Sequence, residues 1–222
     1  MRESGILMHI TSLPAPYGIG TMGKDAYAFV DFLVRAGQRY WQILPLTPTG
    51  YGDSPYQSLG ACAGNHYLID LDRLADEGLL KKEEIQNIPW GSNPARVDFG
   101  AMYAHRMNVL RQAFQRFTPD GAYETFVEQN RSWLEDYALF TALKDTLGGK
   151  PWLDWPEALR LRKADALTEK RRELSDEIRL QYFVQYEFDR QWKALRSYAN
   201  AKGVRIIGDV PIYVPLDSAD VW

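Results

Sequence analysis

The order of the first three apolar segments constrains this chain more than anything else in it. Ile6 to Ile10 is a short apolar run, closed by the turn-forming stretch Leu13-Pro14-Ala15-Pro16-Tyr17-Gly18-Ile19-Gly20. Lys24 to Ala36 follows a helical period, with Ala26, Phe29, Val30, Leu33 and Val34 on one side and Gly37 at the C-terminal cap position. Tyr40 to Leu44 is a second apolar run, ended by Pro45. Near-continuous apolar runs separated by an amphipathic helix are what a buried parallel sheet requires, because each crossover lays a helix against the sheet. The sequence therefore predicts an α/β fold that opens as a βαβ unit.

After Asp70 the pattern turns helical. Helices are predicted over Leu71 to Leu80, Asp98 to Phe117, Tyr123 to Gly148 and Asp165 to Lys202, with Pro89, Pro119, Pro151 and Pro156 marking breaks. The last is long and amphipathic, with Leu174, Ile178, Tyr182, Phe188, Trp192, Leu195 and Ala199 on one face. Arg171, Arg172, Glu173, Asp176 and Glu177 belong to a solvated face. A third strand is predicted over Val204 to Val210, with Asp209 near its C-terminal end. In α/β folds active sites lie at the carboxyl ends of the strands, which makes Asp209 a site candidate. The organisation is thus residues 1–70 with two strands, a helix and a loop, 71–201 mainly helical, and 202–222 with a third strand and its loop. A three-stranded parallel sheet with two open edges exposes unpaired backbone and apolar surface. The expectation is that this chain is the front part of something longer and is aggregation-prone by itself.

Charge and cysteine content exclude several function classes. The 26 basic and 29 acidic residues give a net charge of -3, which provides no field to gather nucleic acid or anionic lipid. Cys62 is the only cysteine, so no internal disulfide forms and a multi-thiolate zinc site is excluded. No run of apolar residues is long enough to span a membrane, and the N-terminal apolar run is too short for a signal peptide. The expected compartment is reducing and cytoplasmic. Aromatics are abundant at 13%, and Trp and Tyr form platforms for flat amphipathic ligands such as sugars.

Gly18-x-Gly20-x-x-Gly23 matches a dinucleotide fingerprint, but two prolines stand between the first apolar run and Gly18. The ribose-binding carboxylate expected at the end of the second strand is also missing, since no acidic residue lies between Asp31 and Asp53. The glycines read as turn chemistry. His9, His66 and His105 show no metal spacing. The segment from Pro45 to Ser58 is dense in aromatic and hydroxyl groups. Such a loop can stack a sugar ring on Tyr56 or Tyr51 and bond its hydroxyls through Asp53, Ser54 and Gln57, or be a plain surface turn. Asp217 and Asp220 follow Asp209 closely. They suit either a carboxylate-lined cleft of the glycosidase kind or the capping and bridging of a loop.

Four motifs in order carry a resemblance. They are Gly5 to Pro14; Trp41 to Leu46 continuing through Gly52-Asp53-Ser54-Pro55-Tyr56-Gln57; Ala63-Gly64-Asn65 with Tyr67 to Asp70; and Gly208 to Val214 with Asp217 to Trp222. The chain resembles the N-terminal part of the amylomaltases, the 4-α-glucanotransferases of glycoside hydrolase family seventy-seven. That resemblance implies the first three strands of a (β/α)8 barrel, incomplete in this chain, with a large helical insertion after strand two. It implies transfer of α-1,4-glucan segments between maltooligosaccharides by a retaining double displacement, without metal or organic cofactor. The nucleophile and acid/base are expected beyond Trp222, so the 222-residue chain is expected to be inactive. Tyr56 matches the residue that stacks on sugar beside the scissile bond, and Asp209 the carboxylate supporting the catalytic centre. Ser54 and Asp53 look like neighbours in the donor cleft, and Tyr51 like a contact further out. The alternative is a non-catalytic maltooligosaccharide-binding module; neither reading has a nucleic-acid or membrane partner.

Overall fold

A computed structural model describes residues 2–93 and 95–222; the side chain of Tyr51 lies outside this description. Three strands, β1 (Gly5–Leu7), β2 (Tyr40–Gln42) and β3 (Arg205–Ile207), form a parallel sheet in sequence order. Ile6, Trp41 and Ile206 stand side by side in the register. The strands are shorter than the apolar runs predict. Ile10–Ser12 leaves the sheet as a 3-10 turn, and Asp209 lies two residues beyond β3. Gly5 is required by its neighbour, because a Cβ there would sit 2.5 Å from the Cβ of Tyr40.

Eight α-helices are seen among the described residues. Helix α1 (Lys24–Arg35) ends with Gly37 in the left-handed region at φ +68, as its cap position predicts. Helices α4 (Phe99–Arg116) and α5 (Gly121–Thr146) match the periodic segments closely. Asp98 and Asp120 cap them by accepting from Ala101 N–H and Tyr123 N–H. The segment after Asp70 is shorter than predicted, as α2 (Leu71–Asp76), and the short α3 (Lys82–Gln86) follows. With one buried apolar residue, Ile85, α3 has too little periodicity to be read from sequence. Another short helix, α6 (Glu157–Arg160), starts directly after Pro156. The long amphipathic run is two helices, α7 (Ala164–Glu173) and α8 (Ser175–Ala201). They part at Leu174, which is buried in an apolar cluster with Trp155, Leu159 and Leu167.

The chain forms two compact units. Unit one comprises Met1–Leu46, Asn65–Thr118 and Glu187–Val210; unit two comprises Thr47–Gly64, Pro119–Tyr186 and Pro211–Trp222. In unit one, α1 and the later part of α8 cover one face of the sheet, around Ile10, Met22, Val30, Leu33, Trp41, Leu195 and Val204. The two faces differ. Ile6 and Ile206 pack into this core, while Leu7 and Ile207 are exposed on the other side. The buried sheet that the apolar runs predict is therefore covered here on one side. In unit two, Phe140, Leu143, Trp155, Leu159 and Trp222 form a second core. No helix among the described residues is long and apolar enough to cross a membrane.

Candidate functional site

The Gly18, Gly20 and Gly23 spacing has a packing explanation. Gly18 is a turn glycine at φ +77. Gly20 and Gly23 are close-approach positions, where a Cβ would fall 1.9 Å from the Ile10 carbonyl oxygen and 1.9 Å from Asp70 Oδ2 respectively. Turn chemistry thus accounts for the first glycine only. Burial lowers His9 to about 4, and burial followed by the Arg106 charge lowers His66 to about 3.

From Thr47 onward the aromatic loop lies in unit two. It folds back on itself through an antiparallel bridge between Thr49 and Ser58, and Gly50 N–H donates to the Gln57 carbonyl at 2.6 Å. Thr47 Oγ1 donates to the Pro55 carbonyl, and Ser54 Oγ accepts from Tyr56 N–H at 3.3 Å. Tyr56, 43% exposed, is held by a seryl turn at the loop tip. Asp53 adopts a left-handed backbone at φ +55, which a non-glycine residue rarely takes. Burial raises its carboxyl above the ordinary value. Asp53 Oδ1 and Thr49 Oγ1 are both sheltered and have no hydrogen-bond partner among the described residues.

The returning limb of this loop is fastened. Ser58 is buried, and its Oγ accepts from Gly60 N–H at 3.1 Å. Gly60 lies so close to Tyr137 that a Cβ would be 2.6 Å from the ring. Gln185 of α8, 2% exposed, grips the Gly64 peptide at both ends: its Oε1 accepts from Gly64 N–H at 2.7 Å and its Nε2 donates to the Gly64 carbonyl at 3.0 Å.

Asp217 and Asp220 resolve as bridging residues in unit two. Asp217 accepts from Lys144 Nζ at 2.5 Å and from Trp152 N–H at 3.1 Å. Asp220 Oδ2 accepts from Ala61 N–H at 2.8 Å. Asp209 belongs to unit one; it is exposed, and its Oδ1 accepts from Val210 N–H. Of the site candidates, Asp53, Ser54 and Tyr56 are thus brought together on one loop with the Tyr51 backbone. Sequence reading passed over Gln185, whose one signal is an amide placed among Phe183, Val184 and Tyr186 on a helix.

Comparison with known proteins decides the family. A profile of glycoside hydrolase family 77, described as 4-alpha-glucanotransferase, matches residues 8–222. The chain belongs to the 4-alpha-glucanotransferase family. Within that family it is 51% identical to the 4-alpha-glucanotransferase of Thermus thermophilus over 227 aligned residues, covering 100% of this chain and 44% of that protein. It is 48% identical to the Clostridium butyricum 4-alpha-glucanotransferase, covering 97% of this chain and 45% of the relative. A solved 4-alpha-glucanotransferase relative, amylomaltase from Streptococcus agalactiae in complex with acarbose, matches with a TM-score of 0.95 at 47% identity. That match covers 100% of this chain and 46% of the other. The chain spans about 45% of the length of these curated transferases.

Proposed function

We propose that this chain is the glucan-binding front part of a 4-α-glucanotransferase. In this reading β1 to β3 are the first three strands of a (β/α)8 barrel, and residues 71–201 are a helical insertion after the second. Tyr56 stacks on a glucosyl ring beside the scissile bond, and Asp53 and Ser54 line the donor cleft. Asp209 supports the catalytic centre, and Tyr51 touches glucan further out. The covalent step, attack of a carboxylate on C1 of an α-1,4-linked glucosyl unit and its discharge onto the 4-hydroxyl of a second glucan, belongs to the length of such enzymes that this chain does not span. The chain works in the cytoplasm, where a lone thiol such as Cys62 stays reduced.

One observation carries this reading. A loop braced on its returning limb holds Tyr56, 43% exposed, at its tip, in the turn that also carries Asp53 and Ser54. The acarbose carried by the solved relative supports an oligosaccharide as the ligand.

The test is a maltotriose titration followed by tryptophan fluorescence, together with an assay for glucose and longer maltooligosaccharides. The chain is expected to bind maltotriose, Tyr56→Ala is expected to weaken binding about tenfold with the fold intact, and the 222 residues alone are expected to transfer nothing. Equal binding by Tyr56→Ala removes the stacking assignment. Transfer by the 222-residue chain would put the covalent chemistry within it.

A further inference from the structure

The segment that follows β3 does more than lead out of the sheet. Residues 215–222 run across unit two as a strap with an anchor at each end. At its start, the Trp152 indole N–H donates to the Leu216 carbonyl, and Asp217 takes bonds from Lys144 Nζ and Trp152 N–H. Lys144 is sheltered, with its side chain 14% exposed, so Asp217 is the counter-charge of a largely buried cation. At its end, Trp222 packs edge-on against Trp155 at 5.3 Å between ring centroids. The Arg162 guanidinium lies 4.4 Å from the Trp222 centroid. Between the anchors Ser218 is fully buried.

The middle of the strap meets the aromatic loop. Ala219 N–H donates to the Leu59 carbonyl at 2.9 Å, and Asp220 Oδ2 accepts from Ala61 N–H at 2.8 Å. These two bonds hold residues 59 and 61, directly after the Thr49–Ser58 bridge that closes the hairpin carrying Tyr56. We infer that Asp220 is a positioning residue for glucan binding: from a strap anchored by Asp217 and Trp222, it clamps the limb that sets where Tyr56 stands. This inference rests on the proposed role of Tyr56. Asp220 acts through the backbone of Ala61 and touches no glucan itself.

The carboxylate is suited to this work because a charged acceptor makes a stronger bond to a backbone N–H than a neutral one. An asparagine retains an acceptor oxygen in the same place, while alanine removes it. Asp220 is exposed, so its replacement leaves both cores untouched.

The experiment compares the 222-residue chain with Asp220→Ala, Asp220→Asn and Tyr56→Ala. Amide hydrogen exchange is read at Ala61 and over residues 56–59, maltotriose affinity by tryptophan fluorescence, and the melting midpoint by circular dichroism. Asp220→Ala is expected to speed exchange at Ala61 about tenfold and to weaken maltotriose binding about fivefold, with little change in melting. Asp220→Asn is expected to restore most of both. Unchanged exchange at Ala61 in Asp220→Ala overturns the clamp. Faster exchange with unchanged maltotriose affinity, in a series where Tyr56→Ala loses binding, overturns the positioning role. If Tyr56→Ala binds maltotriose as the parent does, the stacking assignment is what fails, and with it the functional half of the inference, while the exchange data still decide the clamp.

Discussion

Gln185→Leu is the most informative single change in this chain. The side chain is 2% exposed and satisfies both polar groups of the Gly64 peptide, at 2.7 and 3.0 Å. Leucine fills similar space but offers neither donor nor acceptor, so the Gly64 N–H and carbonyl are left buried and unpaired. Each orphaned group costs about 1–3 kcal/mol, so the pair costs roughly 2–6 kcal/mol. That is a large share of the roughly 5–15 kcal/mol that holds a typical domain folded. At about 2–4 °C per kcal/mol for a chain of this size, the melting midpoint is expected to fall by about 4–24 °C. The assay is urea denaturation followed by far-ultraviolet circular dichroism, with a lower midpoint at an unchanged slope. Gln185→Glu provides the control on mechanism. Its carboxylate can accept from Gly64 N–H but repels the Gly64 carbonyl until it binds a proton. Its folded-state pKa is therefore raised, and the defect of that variant is expected to shrink as pH falls toward the unfolded carboxylate value. A stability loss below about 0.5 kcal/mol in Gln185→Leu would refute the two-ended grip.

Gly60→Ala places a Cβ 2.6 Å from the buried Tyr137 ring and is expected to cost about 1–3 kcal/mol in urea denaturation; a neutral result would show that the ring yields freely. The Cys62 thiol is held above its ordinary pKa first by burial and then by the charge of Asp220. Asp220→Asn is therefore expected to speed iodoacetamide alkylation of this sole cysteine at pH 8 by about twofold or more, and an unchanged rate would separate the two groups. Burial holds His9 at about 4 and His66 at about 3, so between those values and 6.5 the unfolded chain binds more protons than the folded one. Their contribution to stability is present above pH 6.5 and is lost as pH falls to about 4 for His9 and about 3 for His66, at up to about 1.4 kcal/mol per pH unit for each group. His9→Asn is expected to flatten this acid limb, and an unaltered limb would remove His9 from the account.

Local periodicity was a reliable guide wherever an element is long. The apolar stripe of α1 and the helical runs of α4 and α5 are visible because their spacing records a geometry that repeats every few residues. Where an element is short, or where two helices adjoin, the same signal fails. Helix α3 buries only Ile85, and α7 and α8 merge into one amphipathic run until Leu174 turns into its cluster. The candidate site was legible to a similar degree. The aromatic and hydroxyl content of residues 45–58 marked the loop, and the structure groups Asp53, Ser54 and Tyr56 on it. Nothing in that segment announced that Ser54 would brace Tyr56 or that Asp53 Oδ1 would have no hydrogen-bond partner among the described residues.

By itself the sequence determined that the chain opens with parallel strands joined through a helix, that a long helical stretch follows, and that a loop dense in aromatic and hydroxyl groups leaves the second strand. These are properties of neighbouring residues, written in hydrophobic spacing and turn chemistry. Only the tertiary structure decided which face of the sheet is covered, why Gly20 and Gly23 must lack a side chain, and that Asp217 and Asp220 bridge. The reason is distance along the chain. Gln185 meets Gly64 across 121 residues and Asp220 meets Ala61 across 159, and no local pattern encodes which partner a polar side chain will find at that range.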